Sequence, residues 1–562
     1  MRLLRTSWPL LVALVALWAA LGLTAAKAVK ANDGRFIYAL DDAYIHMAMA
    51  KNLAQHGVWG VTRHEFSSSS SSPLWTLALA GWYGMGGVDE AAPFLMNLAL
   101  SSLLLLVVDA LLRREPGVAS WARALLLLGV VFLGPLTALV FGGMEHVAQT
   151  LLDVVFVFWM ARVLERGRCD AREAAGLAAL AVVMVAARYE GLFLVAAACG
   201  LLLLQRRWKL AVALGAAAWA PVAAYGAVSV AHGWFWLPNS LLMKGNTDAA
   251  QSLSRLLFHA WQDTLFEARE LLLLLAGATV VYGVRLRRGV GVWERRQILL
   301  ALFVAAALLH AMFARVGWLF RYEAYLIVMG LLSVAVASRE LAAEAAGAWR
   351  SWLRWERAPE LAAWALLALL PLVAFEQRYE LGLKQAQRFM TDRYLEQYSQ
   401  ARFLRGGYND ATIVIHEIGM AAFYTDMRLL DVAGLASREP VDCRLRGEDF
   451  GVEQVRAWAR RKGVRVAALK TNLKRVAELV PPEWIHVMDW RAPRMGSPLE
   501  NVTSFYAVDP AEAEPLRRRL AAFVPSLRRE VKWTWVGETR ESAGAAGLLI
   551  PGRGAALALP GS

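Results

Sequence analysis

Between residues 8 and 377 the chain returns repeatedly to apolar runs of membrane-crossing length, and then it stops doing so. A helix needs about 17–25 mostly apolar residues to cross the hydrocarbon layer, where only helices and closed barrels satisfy their own backbone groups. The runs are 8–26, 92–112, 120–141, 146–161, 174–187, 191–205, 210–231, 266–284, 297–314, 320–338 and 361–377. They predict a polytopic α-helical membrane domain, with about 11 transmembrane helices, over residues 1–377. The hydrophobic share of 58% and mean hydropathy of +0.40 agree with that class. Residues 378–540 return to ordinary polarity and are numerous enough for one core of their own. The N-terminal MRLLRTSW and the apolar run after it have the build of a signal peptide, with an Ala-rich stretch near Lys27. The many later spans favour a retained signal-anchor.

Charge placement orients the spans. The stretch 73–86, short and rich in Trp and Tyr, reads as interfacial within a first outer loop covering 28–91. With that reading, Arg2, Arg5, Arg113, Arg114, Arg162, Arg166, Arg206, Arg207, Arg285, Arg287, Arg295, Arg296, Arg339 and Arg350 share one side, which the positive-inside rule makes cytoplasmic. Lys27, Lys30 and Arg35 fall on the other side. The net charge of +13 is therefore mostly topological, and nucleic acid is not an expected partner. The opposite side receives Asp41-Asp42, the Ser67–Ser72 run, Gly142–His146, Arg188–Gly191, Trp234–Lys244, Arg315–Glu323 and the C-terminal domain. Carboxylates, cations, amides and aromatics meet there, as an externally facing site needs. Residues 174–205 would span about 48 Å as one helix, too long for one crossing. Two short crossings would leave the Arg188-Tyr189-Glu190 turn inside the bundle, where charge is costly and usually functional.

Asp41-Asp42 opens a helical run with Ile45, Met49 and Leu53 on one face and Gly57 as its stop. Two readings stay open for the pair: a capping and dipole role, or catalytic carboxylates. Ser67–Ser72 reads as a mobile linker. Downstream, 378–405 reads as polar helix. Thr412–Ile415, Leu429–Ala433, Val464–Leu469 and Ser504–Val508 read as strands, and Ile418–Tyr424, Val452–Lys462 and Glu512–Phe523 as helices. Together they make an α/β or α+β domain. Residues 541–562 read as a disordered or interaction tail. Cys169, Cys199 and Cys443 show neither pairing nor metal spacing.

Several short motifs, in order, resemble the GT-C superfamily of polyprenyl-phosphate-sugar-dependent glycosyltransferases. They are Asp41-Asp42-Ala43-Tyr44-Ile45 with Asn52-Leu53-Ala54 and Gly57; Ser72-Pro73-Leu74-Trp75; Gly143-Met144-Glu145; Arg188-Tyr189-Glu190-Gly191, with Tyr where Pro is usual; and Pro238-Asn239-Ser240 with Lys244. Glu417-Ile418-Gly419 with Tyr424, Asp426, Asp431 and Gly434-Leu435 resembles the mycobacterial arabinofuranosyltransferase group related to AftB. Around Arg315-Val316-Gly317-Trp318, where relatives often carry Gly-Asp-Trp, no Asp is present, which puts an acidic role there in doubt.

The resemblance implies a bacterial, multi-pass inner-membrane enzyme with its soluble domain outside the cytoplasm. It would move one sugar from a polyprenyl phosphate to a glycan or glycolipid in a single, inverting displacement. A carboxylate must then take the acceptor proton, cations must steady the departing phosphate, and an apolar groove must hold the lipid. Asp42 is the first choice for the base and Asp41 the second; Lys244, Arg321 and Arg188 are assigned to the donor phosphate; Glu145, His146, Glu190 and Asn239 are assigned to sugar or acceptor. No metal is assigned, although Asp41, Asp42 and Glu145 are the residues a divalent metal would use. His46, His56 and His64 show no metal-ligand spacing. All these acids and cations precede residue 330, which assigns the chemistry to the membrane domain and acceptor choice to the C-terminal domain. Alternatives are a transporter or flippase of lipid-linked sugar, which the missing repeat between the two halves disfavours, and a protein-directed mannosyltransferase of the same fold.

Overall fold

The computed structural model describes residues 2–244, 264–352, 378–495 and 497–537, with 262 and 376. Each apolar run from 8–26 to 320–338 falls on a helix, while 361–377 lies, but for residue 376, outside the described residues. Among the described residues, six helices are long and apolar enough to cross a membrane: Ser7–Ala31, Ala92–Arg113, Ser120–Gly142, His146–Arg166, Trp208–Ala231 and Arg295–Phe313. This is fewer than the expected eleven. The pair Ala171–Ala187 and Gly191–Leu204 is helical but short, at 17 and 14 residues. At 1.5 Å per residue these reach about 26 and 21 Å, less than the hydrocarbon thickness of about 30 Å.

The two ends of the bundle differ in chemistry. At one end Asp109 pairs with Arg113 (2.6 Å) and Arg123 (2.9 Å), Glu115 pairs with Arg295, and Glu340 with Arg296 (2.6 Å) and Arg285 (3.3 Å). The arginine-rich loops that the sequence grouped together thus meet there. The other end gathers residues 38–46, 71, 141–145, 188–190, 239, 315–323 and 419.

Ser67–Ser72 is no free linker. Ser67, Ser68, Ser69, Ser70 and Ser72 are all buried. Their hydroxyls replace water for one another and for their neighbours: Ser229 donates to Ser68 (3.0 Å), Ser70 meets Thr76 (3.0 Å), Ser67 accepts from the Val61 N–H (2.9 Å), and Ser72 caps the Trp75 N–H (3.2 Å). Serine composition mimics a linker, but small hydroxyls also pack well where buried backbone needs partners.

The C-terminal region builds one six-stranded sheet: β1 Thr412–Ile415, β2 Arg428–Asp431, β3 Val466–Lys470, β4 Ile485–Pro493, β5 Glu500–Ala507 and β6 Lys532–Trp535, in the order β2-β1-β3-β5-β4-β6. The β2-β1-β3 half is parallel and the rest antiparallel. One face, carrying Val414, Leu430 and Ala467, buries a local core under the helix Val452–Arg461 with Trp458. The other face, carrying Ile413, Ile415, Met488 and Phe505, joins a core continuous with that of the helical bundle. The composition break near residue 377 is therefore not a break in packing. The tail 541–562 lies outside the described residues.

Candidate functional site

The helix Asp41–His56 is the hub. Its sequence shows one apolar stripe, yet Asp41, Asn52 and every residue from Ala43 to Ala50 are buried. The second face is covered by the short helix Gly419–Tyr424 of the C-terminal region. Asp41 does not cap its own helix, whose N-cap is Leu40. Its carboxylate instead accepts the N–H groups of Gly419 (2.8 Å) and Met420 (3.0 Å). Ten residues on, Lys51 donates to the carbonyl of Phe423 (2.7 Å). One helix thus holds both ends of another, an anion at the positive end and a cation at the negative end. Gly419 is required by the approach: a Cβ there would lie 2.2 Å from the Asp41 carbonyl oxygen. Arg528 with Asp33 (2.5 Å), Arg63 with Asp410 (3.4 Å) and His64 with the Asp426 carbonyl (2.7 Å) add to the same interface. Burial, with the charge of Glu417 behind it, pushes Asp41 up to about 7. Glu417 is raised by its own burial, but Lys470 and Arg393 more than reverse this and hold it down near 2.

Asp42, one residue and about 100° further round the helix, lines a cavity of about 240 Å³. The volume lies just below the range of ordinary small-molecule clefts, about 300–1,000 Å³. Its polar wall includes Asp42, Ser71, Arg188, Glu190, Ser240, Arg315, Arg321 and Tyr322; its apolar wall includes Met144, Leu192, Phe193, Leu241 and Phe313. Arg321 donates from Nη2 to Asp42 Oδ2 (2.7 Å) and to the Tyr322 hydroxyl (2.8 Å). The turn before it is strained: Trp318, Leu319 and Phe320 have φ of 47°, 64° and 56°. Left-handed geometry costs an L-residue about 1–2 kcal/mol. Fully buried Arg378 holds the turn, donating to the Phe320 carbonyl (3.2 Å) and pairing with Glu323 (2.8 Å).

Arg188 is committed on two sides, to Glu145 (2.6 Å) and, through two nitrogens, to Glu190. Glu145 is buried behind Arg188, with His46 Nε2 at 3.9 Å from its second oxygen. His46 also meets Thr76 (2.8 Å) and Ser71 (3.2 Å). His146 is buried with its ring 6.2 Å from that of Tyr322, and is not on the cavity wall.

The cavity therefore brings together Asp42, Arg188, Glu190 and Arg321 from the expected set. Asp41, Glu145, His146 and Asn239 are placed elsewhere. Asn239 donates to the carbonyls of Gly434 (2.9 Å) and Ser437 (3.3 Å), which ties its loop to the sheet region instead of presenting an amide to the cavity. The Lys244 side chain lies outside the described residues. Tyr322, His46, Ser71 and Arg315 were not assigned to the site from sequence. His46 was weighed only as a metal ligand, although it follows Asp42 by four residues, one helical turn. Tyr322 has its ring 4.7 Å from the Arg321 guanidinium and 5.8 Å from that of Arg188. The 315–318 stretch has no Asp of its own, and acids arrive from elsewhere: Glu323 accepts the Gly317 N–H (2.9 Å), and Glu267 fills the space a Cβ at Gly317 would need.

Asp41, Asp42 and Glu145 do not converge, being engaged by backbone amides, Arg321 and Arg188 in turn. Among the described residues no group of three His, Cys, Asp or Glu is placed to hold a metal ion. These residues do not fit a divalent metal as a joint ligand set.

Residues 385–508 match the model of a domain of unknown function, DUF8728. No curated protein matches the sequence. Among solved structures the chain is similar to ArnT from Cupriavidus metallidurans bound to undecaprenyl phosphate, at 13% identity and a TM-score of 0.49, over 88% of this chain and 98% of that one. A likeness of that size leaves the reading of this chain to its own residues.

Proposed function

We propose that the chain is a membrane glycosyltransferase that moves one sugar from a polyprenyl-phosphate donor to a glycan or glycolipid acceptor on the extracytoplasmic face of a bacterial inner membrane. The observation that carries this reading is the cavity, where two carboxylates and three arginines face an apolar wall. The reaction needs those three surfaces together. Asp42 takes the proton of the acceptor hydroxyl as that oxygen attacks the anomeric carbon from the face opposite the phosphate. Arg321 and Arg188, with Lys244 from the adjoining helix Asn239–Lys244, steady the phosphate as it leaves. Met144, Leu192, Phe193 and Phe313 receive the first part of the lipid. Glu190 orients sugar hydroxyls from the cavity wall. Glu145 and His146 support Arg188 and Tyr322 from behind, and Asn239 and Asp41 hold the framework.

The test is turnover. Purified full-length protein in detergent is offered a panel of polyprenyl-phosphate sugars with mixed glycan acceptors and no membrane gradient. Release of polyprenyl phosphate with transfer of the sugar is expected. Lipid-linked sugar that crosses a reconstituted bilayer unchanged, with no transfer in detergent, would make the chain a transporter instead.

A further inference from the structure

We propose that the turn from Arg315 to Arg321 is a phosphate-binding loop, and that an arriving phosphate ester draws Arg321 away from Asp42, so that the base becomes competent only once the donor is seated. The proposal rests on the donor reading above and adds a residue and an order of events to it.

The charges on the cavity wall point to this turn. Arg188 is already held by Glu145 and Glu190, and Arg321 by Asp42. Arg315 is exposed, lines the same cavity, and has no carboxylate partner among the described residues. Among the described residues of the cavity wall it is the cation with charge to offer an incoming anion. Phe313 and Ala314, just before it, lie on the same cavity wall. A headgroup at Arg315 would therefore place the first carbons of its ester chain against apolar surface. The loop's start is fixed from below: buried His310 meets the Arg315 carbonyl through Nε2 (2.9 Å) and the Tyr325 hydroxyl through Nδ1 (3.1 Å).

The far end carries backbone strain. Arg321 follows three consecutive left-handed residues, Trp318 to Phe320, none of which is glycine. Such strain persists where surrounding contacts hold it, and it collects at switches. In the present state Arg321 donates to the carboxylate that must accept a proton, and a carboxylate so paired is a weaker base. A phosphate offers the guanidinium two oxygens in a matching fork and more charge than a carboxylate. Exchange of Asp42 for phosphate would bind the donor and restore the basicity of Asp42 in one movement. It would also keep the base masked while no donor is present.

The experiment measures binding of farnesyl phosphate and of inorganic phosphate to full-length protein in detergent, for wild type, Arg315→Ala, Arg315→Lys and Asp42→Asn. Arg315→Ala is expected to weaken farnesyl phosphate binding roughly 10- to 150-fold, with Arg315→Lys recovering part of it. Asp42→Asn is expected to tighten binding, because Arg321 is released from its competitor. Unchanged binding in Arg315→Ala, or weaker binding in Asp42→Asn, would overturn the proposal while leaving the donor reading intact. No farnesyl phosphate binding by wild type would remove the donor reading itself. Equal affinity for inorganic phosphate would assign the loop to free phosphate and overturn its role as a lipid-headgroup site. A misfolded alanine variant is recognised by its melting temperature, and the lysine and asparagine variants then decide.

Discussion

Replacing Asp41 by alanine should loosen the C-terminal domain from the helices of the first domain. The carboxylate accepts two buried N–H groups, those of Gly419 and Met420. Alanine leaves both without an acceptor in a place water does not reach. Each orphaned donor costs about 1–3 kcal/mol, so the pair costs about 2–6 kcal/mol. The lower end agrees with the loss of an ordinary helix cap, about 0.5–2 kcal/mol. Lys51 keeps its grip on the Phe423 carbonyl, so the Gly419–Tyr424 helix should fray from its N-terminus first. The assay is hydrogen exchange on peptides covering 417–424, read beside the melting temperature of the full-length protein. A loss of 2 kcal/mol corresponds to exchange about 30-fold faster if local opening governs it. Asp41→Asn keeps one acceptor and should lie between wild type and alanine. Unchanged exchange at 419 and 420 in a normally melting Asp41→Ala protein would refute the clamp.

Three further outcomes are expected. Asp42→Asn, in protein shown to be folded, should lower sugar transfer about 10²- to 10⁴-fold, and near-normal turnover would return Asp42 to a purely structural role. Glu145→Gln leaves Arg188 with Glu190 alone and breaks a buried pair, so it should destabilise the protein by about 3–5 kcal/mol, read as a lower melting temperature; an unshifted melt would mean that Glu190 suffices. Asp41 keeps its proton to about pH 7 in the folded protein but only to about 3.9 when unfolded. The folded state therefore binds the extra proton between those values. Its stabilisation is full below the lower one and is lost as pH rises through about 7. The melting temperature of wild type should fall from pH 5.5 to pH 8 relative to that of Asp41→Asn, and parallel curves would sink the assignment.

The parts of this molecule legible in its sequence are those with a local cause. Lipid demands long apolar runs, so each described span could be placed from hydropathy. Gly57 ends its helix in a left-handed conformation, φ 68°, because that conformation suits glycine. Arg188 stood out because charge in a turn between two short apolar segments is costly, and Asp42 because two adjacent carboxylates open a helical run. Strand β4 was missed because Ile485, Val487 and Trp490 are broken up by His486, Asp489 and Arg491, so no apolar run marks it. The partner of Asp41 is 378 residues away, and nothing near either residue announces the other.

That distant contact also decides where the division between the two halves of the chain matters. Composition changes near residue 377, which invites a catalytic membrane domain and a detachable acceptor domain. The helix Asp41–His56 contradicts a clean separation, because two adjacent carboxylates on it, about 100° apart, meet different partners. Asp42 enters the cavity and meets Arg321, while Asp41 holds the start of Gly419–Tyr424. Any shift of the C-terminal region that pulls on Asp41 must turn or slide the helix that carries Asp42. A general base acts over about 2.6–3.2 Å, so a displacement of a single ångström is enough to take it out of reach. The sheet region therefore sets the position of the proposed base as well as the surroundings of the acceptor. Removing it would remove the reference point for the chemistry, even though every proposed acid and cation lies in the first 330 residues.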